Sequence, residues 1–253
     1  MLKITEFANP GLKVFNSANN LDKVLANGIH EPLPNKSGFS MVIAGPSGSG
    51  KTTLLYSIMS KGKVNKVRQG YLNVFDRIYI ISPSIGNDSM SNDPFKSLPE
   101  DQIYRELTLE TLDEIYQSLK QSRKDGEHSV VILDDVGSQL RKSAKVEKIL
   151  TQMIQNRRHD YCSYITLVQK YKDLPTGLRN NISTFICFRP KNKLEMDSIS
   201  DELFPYDKKK NAQILNHIFE SEEKNKFFII DMSLSNSSTF LFYNGFNRLK
   251  ISL

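Results

Sequence analysis

Ser40 to Thr53 reads SMVIAGPSGSGKTT. Met41-Val42-Ile43-Ala44 is a short apolar run, and Gly45-Pro46-Ser47-Gly48-Ser49-Gly50-Lys51-Thr52 follows it directly. The second part fits the phosphate-loop pattern G-x-x-x-x-G-K-[ST] at every position. Glycines let the backbone turn tightly enough for successive N–H groups to face one anion. A helix beginning after Gly50 would add its positive N-terminal end. In such a loop Lys51 supplies a point charge for the β- and γ-phosphates, and Thr52 supplies a hydroxyl to Mg²⁺. Thr53-Leu54-Leu55-Tyr56-Ser57-Ile58-Met59 can continue as that helix, so Gly45 to Thr53 is expected to form the nucleotide-binding segment. A chance glycine-rich turn would have neither the strand before it nor the helix after it.

The chain has 253 residues, 39% hydrophobic and 25% charged, which suits one large α/β domain with a buried core. No run of 18 apolar residues occurs, so no membrane span is expected. The N-terminus, Met1-Leu2-Lys3-Ile4-Thr5-Glu6-Phe7, lacks the apolar centre of a signal peptide. Cys162 and Cys187 are the two cysteines, and both fall in or beside apolar runs. Reduced core thiols in an intracellular setting are the expectation. The net charge of +6 permits contact with a polyanion without establishing it.

Residues 1–38 read as a lead-in with turn signals at Asn9-Pro10-Gly11 and Pro32-Leu33-Pro34-Asn35 and a short helix near Asn20 to Asn27. Residues 39–190 read as an ATPase core and 191–253 as a C-terminal extension of the same domain. After the phosphate loop, Lys61-Gly62-Lys63 and Lys66-Val67-Arg68 form a basic patch. A solvated loop explains it, and DNA contact is the sharper alternative. Arg77 to Pro83, Ser129 to Asp135, Tyr164 to Gln169 and Thr184 to Phe188 read as buried strands, with a surface loop over 84–100. Leu107 to Lys124, Lys142 to Arg158 and Ala212 to Ser221 read as helices. Lys208-Lys209-Lys210 reads as a solvated loop. Phe227 to Asp231 and Thr239 to Tyr243, joined by a polar turn, read as a hairpin. Alternation of buried strands and amphipathic helices predicts an α/β fold: a P-loop NTPase with a mostly parallel central sheet flanked by helices and a C-terminal β-hairpin.

Val130-Val131-Ile132-Leu133-Asp134-Asp135 is an apolar strand ending in two carboxylates. In a parallel sheet its C-terminal end opens beside the phosphate loop. Asp134 is then the candidate for Mg²⁺ and Asp135 for the attacking water. Gln169 ends the next strand and is a candidate γ-phosphate sensor, with a solvated strand end as the plain alternative. Asn156-Arg157-Arg158-His159 closes a helix, where arginines also suit the helix dipole. The functional reading is an arginine finger reaching a neighbour's γ-phosphate, with Arg179 as a rival to Arg157 and Arg158.

GPSGSGKTT, then VVILDDV, then QNRRHDYCSYITLVQKYKDLPTGLRNNIS, in this order and spacing, resemble the poxvirus-type genome-packaging ATPases of large double-stranded DNA viruses and virophages, a branch of the HerA/FtsK superfamily. The third block separates this branch from generic P-loop proteins. The resemblance covers about Phe39 to Arg189. It implies ATP and Mg²⁺ as cofactors, with Lys51, Thr52, Asp134, Asp135 and Gln169 in the roles given above and an inter-subunit finger from Arg157 or Arg158. It also implies a ring of five or six copies that threads duplex DNA into a capsid through a capsid or portal vertex partner. The expected location is the virion or the host-cell cytoplasm at the assembly site. Many relatives in the wider superfamily carry glutamate where Asp135 stands. Aspartate is one methylene shorter, so its water must sit closer or its strand must shift.

The nearest alternative is a cellular-type HerA/FtsK translocase or helicase with the same chemistry. A small-molecule P-loop kinase would need an arginine-bearing lid, and the loop at 84–100 has no arginine. A third class is a nucleotide-dependent assembly factor that does not hydrolyse.

Overall fold

The apolar run ahead of the glycine-rich loop forms β1 (Ser40–Ala44), buried along its whole length. The computed structural model describes residues 23–26, 29–64, 67–84, 93–220, 225–233 and 241–251. After β1 come α1 (Lys51–Ser60), β2 (Lys63–Val64), β3 (Val67–Arg68), β4 (Arg77–Ile81) and β5 (Ile103–Tyr104). The middle of the chain forms α2 (Leu109–Lys124), β6 (Ser129–Asp134), α3 (Gly137–Lys142), α4 (Ala144–Asn156), β7 (Cys162–Val168) and α5 (Thr176–Arg179). The last part forms β8 (Thr184–Phe188), α6 (Lys193–Leu203), α7 (Lys208–Phe219), β9 (Phe227–Asp231), β10 (Leu241–Asn244) and β11 (Asn247–Arg248).

Among the described residues, nine strands make one sheet in the order β11-β10-β9-β8-β1-β7-β6-β4-β5. From β8 to β5 every pairing is parallel. The C-terminal strands β9, β10 and β11 extend that sheet in antiparallel fashion from β8. Side chains alternate between two faces, as the period of a strand requires. Val42 and Ala44 of β1 join Val131 and Leu133 of β6 against α2 and α4. Met41 and Ile43 join Val130 and Ile132 on the opposite face, against α1. A strand covered on both sides has no polar face, which is why VVIL reads as an unbroken apolar run.

The helix ends differ from the sequence reading where a side chain caps them. Thr108 accepts a hydrogen bond from the Thr111 backbone and starts α2 two residues late. Ser143 accepts from the Val146 backbone and starts α4 at Ala144, two residues after the expected Lys142, while the short α3 that ends at Lys142 has no counterpart in the sequence reading. Lys208-Lys209-Lys210 is the first turn of α7 and not a loop, because the Asp207 carboxylate accepts from the backbone of Lys209 and Lys210. α6 has no counterpart in the sequence reading; Asn192, accepting from the Glu195 backbone, begins it. The helix expected near Asn20 to Asn27 is not formed at residues 23–26, where Val24 bridges Lys36; its other residues lie outside the described ones. So do the Asn9-Pro10-Gly11 turn, residues 85–92 of the loop at 84–100 and the hairpin turn from residue 234 onward. Cys162 and Cys187 are buried free thiols in β7 and β8, both pushed up in pKa by burial. No described helix is long and apolar enough to cross a membrane.

Candidate nucleotide-hydrolysis site

Three chain segments leave the same edge of the sheet side by side. Ala44 of β1 is level with Val168 of β7, and Leu167 of β7 is level with Asp134 of β6. The glycine-rich loop, Gln169 and Asp135 therefore emerge from neighbouring strands, with β7 between the other two. Adjacent strands lie about 4.8 Å apart, so the loop and the acidic strand end are separated by about 10 Å. That gap is suited to the end of a triphosphate.

The loop has the conformation its glycines permit. Gly48 and Gly50 have φ of 76° and 100°, the left-handed region that side chains disfavour. Gly50 precedes α1 with no side-chain cap, so the first-turn N–H groups of that helix are left for a ligand. Ser49 Oγ is buried without a hydrogen-bond partner. Gly45 is fixed by packing: a Cβ there would lie 2.7 Å from Phe188 Cβ. Lys51 folds back over the loop and donates to the carbonyls of Gly45 (2.7 Å) and Pro46 (3.1 Å). Burial pulls its ammonium below the usual lysine value, while Asp134 and Asp135 push it up. Thr52 is half-buried beside it and Thr53 is exposed.

Asp134 is half-buried, and burial raises its carboxyl above the usual range. The Ser82 hydroxyl opposes this by donating to Oδ2 at 3.0 Å. Ser82 follows β4, the strand next to β6, and the sequence reading did not single it out. Its signal was the apolar strand before it and the ligand rule for strand ends. A half-buried carboxylate near a lysine and a loop with uncapped N–H groups fits a divalent cation, which often takes one protein carboxylate and completes its shell with phosphate and water. No cluster of three or more acidic, histidine or cysteine ligands exists among the described residues.

Asp135 is exposed and has φ of 54°, a left-handed turn that Asp tolerates better than most residues. It redirects the chain immediately after the strand. Gln169 Nε2 donates to Asp135 Oδ1 at 3.3 Å and Oδ2 at 3.4 Å. The segment after Gln169 is held from two sides. Asp173 accepts from the Lys170 backbone at 3.1 Å and from Arg141 of α3 at 2.9 Å. Glu195 of α6 accepts from the Tyr171 backbone at 3.0 Å. The sequence reading also passed over Asn225, which lies against Gly50: a Cβ on that glycine would meet Asn225 Cγ at 3.5 Å.

The arginines are not gathered with these groups. Arg157 and Arg158 precede β7, at the edge of the sheet opposite the loop. Arg157 donates to the carbonyls of Gly38 and Ile154, both at 2.9 Å. Arg158 is exposed and packs against Gly38. Both line a cavity of about 1030 Å³ at that far edge. Arg179 is held by Glu202 (2.9 Å) and the Leu174 carbonyl (2.8 Å), over the Tyr171 ring.

Comparison with known proteins bears on the family and the fold. The DNA packaging protein OPG160 of Variola virus is 30% identical over 154 residues, 60% of this chain and 54% of its own length. The same protein of Vaccinia virus (strain Copenhagen) matches to the same extent. The match thus spans about half the length of these curated relatives. Uncharacterized protein 088R of Invertebrate iridescent virus 3 is 25% identical over 174 residues, 68% of this chain and 61% of its own. In fold, the chain resembles B204, the DNA-packaging ATPase from Sulfolobus turreted icosahedral virus. The TM-score is 0.58 at 16% identity, over 82% of this chain and 98% of that one. The family described as Poxvirus A32 protein matches residues 31–247, and the chain belongs to that family.

Proposed function

We propose that the protein is an ATP-hydrolysing motor that drives double-stranded DNA into a viral capsid. The observation that carries this reading is the strand order β1-β7-β6, with the Gln169 amide against Asp135 beside the phosphate loop. A loop and helix N-terminus alone suit kinases, switches and motors equally. A carboxylate pair with a polar strand-end residue between it and the loop suits attack by water on the terminal phosphate.

In this reading the backbone of Gly45 to Lys51 and the Lys51 ammonium bind the triphosphate. Thr52 and Asp134 would hold Mg²⁺, which would neutralise charge on the phosphate oxygens. Asp135 orients the attacking water and takes its proton. Gln169 sets the direction of that carboxylate and connects it to Tyr171, Asp173 and α6. An arginine from a neighbouring subunit completes the site. Arg158, exposed where Arg157 and Arg179 are half-buried, is the first to test. The subunits form a ring around the duplex and dock on a capsid or portal vertex at the site of virus assembly. Support for DNA as the substrate comes from relatives named as DNA packaging proteins and from the net charge of +6.

The test is ATP turnover per subunit measured against protein concentration, with and without duplex DNA. The expected result is a rise with both. Turnover independent of both would remove the trans arginine and the coupling to DNA together.

A further inference from the structure

The helix that begins at Lys51 ends in a feature the nucleotide site does not use. α1 runs for ten residues, about 15 Å, from the phosphate loop towards the opposite edge of the sheet. There the chain forms the β2–β3 ribbon, a two-stranded sheet separate from the main one. The ribbon is fastened to the last turn of α1 by backbone hydrogen bonds on both of its sides. Lys61 donates to the Ser57 carbonyl (3.2 Å), Tyr71 to the Ile58 carbonyl (2.6 Å) and Leu72 to the Lys61 carbonyl (3.2 Å). Gln69 closes the base of the ribbon on the Gly62 carbonyl at 2.8 Å. Gly70 permits this approach, since a Cβ there would lie 2.3 Å from the Ile58 carbonyl oxygen. Tyr71 then anchors the base to the sheet edge, donating to the Pro34 carbonyl and stacking on Phe39. The ribbon and α1 are therefore one mechanical piece, with phosphate chemistry at one end.

The charge on this piece is one-sided. From Pro32 to Phe75 the sequence contains no Asp or Glu, while Lys61, Lys63 and Arg68 stand on or beside the ribbon. Lys61 and Lys63 are exposed. The antiparallel register sets Lys63 directly opposite Arg68. Residues of like charge at facing register positions are unfavourable to a strand pair, and a ribbon of two strands adds few other cross-strand pairs to offset them. An anion laid across the pair removes that penalty. The repeating phosphates of a duplex are an anion that an unspecific, sequence-blind grip would use.

We propose that the β2–β3 ribbon is the element by which each subunit grips the phosphate backbone of duplex DNA, and that α1 transmits phosphate-loop movement to it. The proposal rests on the DNA-motor reading above and identifies its moving contact. The same positions could hold an acidic protein surface; the test separates the two.

The experiment measures binding of a labelled DNA duplex by anisotropy from 50 to 300 mM salt, together with ATP turnover with and without DNA. It compares the wild type with Lys61→Gln/Lys63→Gln/Arg68→Gln and with the charge-keeping Lys61→Arg/Lys63→Arg/Arg68→Lys. In the glutamine variant, affinity should fall at least about tenfold, and the log–log salt slope should become shallower by about 0.9 per lost phosphate contact, so by up to about 2.7. DNA stimulation of turnover should fall with it while DNA-free turnover stays at the wild-type value. The charge-keeping variant should behave as wild type. A glutamine variant that keeps the wild-type affinity and slope overturns the ribbon proposal alone and points to a protein partner for these charges. A wild type that neither binds duplex DNA nor responds to it overturns the motor reading and the ribbon with it. Lys61→Gln alone removes one exposed charge without touching the strand pair, and a slope change of about 0.9 is expected from it.

Discussion

Gln169 donates its side-chain amide to both carboxylate oxygens of Asp135, across adjacent parallel strands. This contact makes the orientation of Asp135 depend on what happens after β7. It also keeps Asp135 an acceptor, since the amide N–H groups only donate.

Removing the amide should therefore reduce turnover more than binding. Gln169→Ala is expected to lower kcat about 10- to 100-fold, within the range assigned to positioned acid–base groups, with nucleotide affinity near wild type. Asp135→Asn should lower kcat by about 100-fold or more with binding retained. Steady-state turnover and equilibrium nucleotide titration separate the two quantities. Unchanged turnover in Asp135→Asn would remove this carboxylate from the hydrolytic step.

Gln169→Glu gives a pH readout. It places a second carboxylate within hydrogen-bond distance of Asp135, and like charges this close favour one shared proton. The base must be ionised to act, so the acid limb of the kcat profile should move to higher pH than in the wild type. A profile lowered uniformly at all pH values would mean that the introduced carboxylate does not face Asp135.

Asp134 should show a conflict between stability and function. Burial raises its pKa in the folded chain, so the folded state holds this proton more tightly than the unfolded state. Its effect on stability is therefore unfavourable above the raised folded value and vanishes as pH falls to the ordinary value of 3.8. Asp134→Asn keeps an acceptor for Ser82 without the charge. It should melt higher than wild type at pH 7, by roughly 2–4 °C for each 1 kcal/mol relieved, and lose that advantage near pH 4. Stabilisation of the wild type by Mg²⁺ with nucleotide should be lost in the variant. Thermal melts at the two pH values, with and without those ligands, check all three statements.

The parts of the fold that the sequence makes plain are those where one side chain has one job. The apolar strands lie in a sheet covered on both faces, so every position in VVIL is apolar and the strand is unmistakable. The phosphate loop is legible because a fixed set of backbone angles demands glycines at fixed spacing. Ser82, Phe188 and Asn225 were not legible in the same way. Each acts through a neighbour brought in by strand order, and serine, phenylalanine and asparagine at strand ends serve many purposes. The arginines show the same limit from the other side. Arg157 and Arg158 occur in a distinctive run, yet β7 carries them to the edge opposite the loop. No local pattern distinguishes a side chain used within its own subunit from one offered to a neighbour.

Asp173 joins two elements that flank the hydrolytic pair. It accepts from Arg141 on the helix after Asp135 and from the backbone of Lys170 directly after Gln169. Arg141 is 61% exposed, so the ion pair itself contributes about 0–1 kcal/mol to stability. Asp173→Ala should accordingly cost little in melting temperature but release the Gln169 turn, lowering kcat several-fold with nucleotide affinity unchanged. Arg141→Ala leaves the Lys170 bond in place and should have the smaller effect. Equal losses in both variants would assign the effect to the ion pair and not to the turn.

Gly45→Ala tests whether the start of the phosphate loop is fixed by packing or only by the need for a flexible backbone. The added methyl would stand 2.7 Å from Phe188 Cβ and 2.8 Å from Ser49 Oγ. The clash is with a Cβ, so Phe188→Ala, which removes only the ring, cannot relieve it. Gly45→Ala should lose roughly 1–3 kcal/mol of stability, the usual cost of forcing an extra carbon into a packed site. It should also weaken nucleotide binding, because displacement of β8 and the loop moves the N–H groups that face the phosphates. Gly48→Ala is the control. No atom lies within 4 Å of its would-be Cβ, so only the backbone preference at φ 76° is violated and its cost should be about 1–2 kcal/mol. Restoration of Gly45→Ala by Phe188→Ala, measured by denaturant unfolding and nucleotide titration, would show that the ring and not the strand backbone sets the approach.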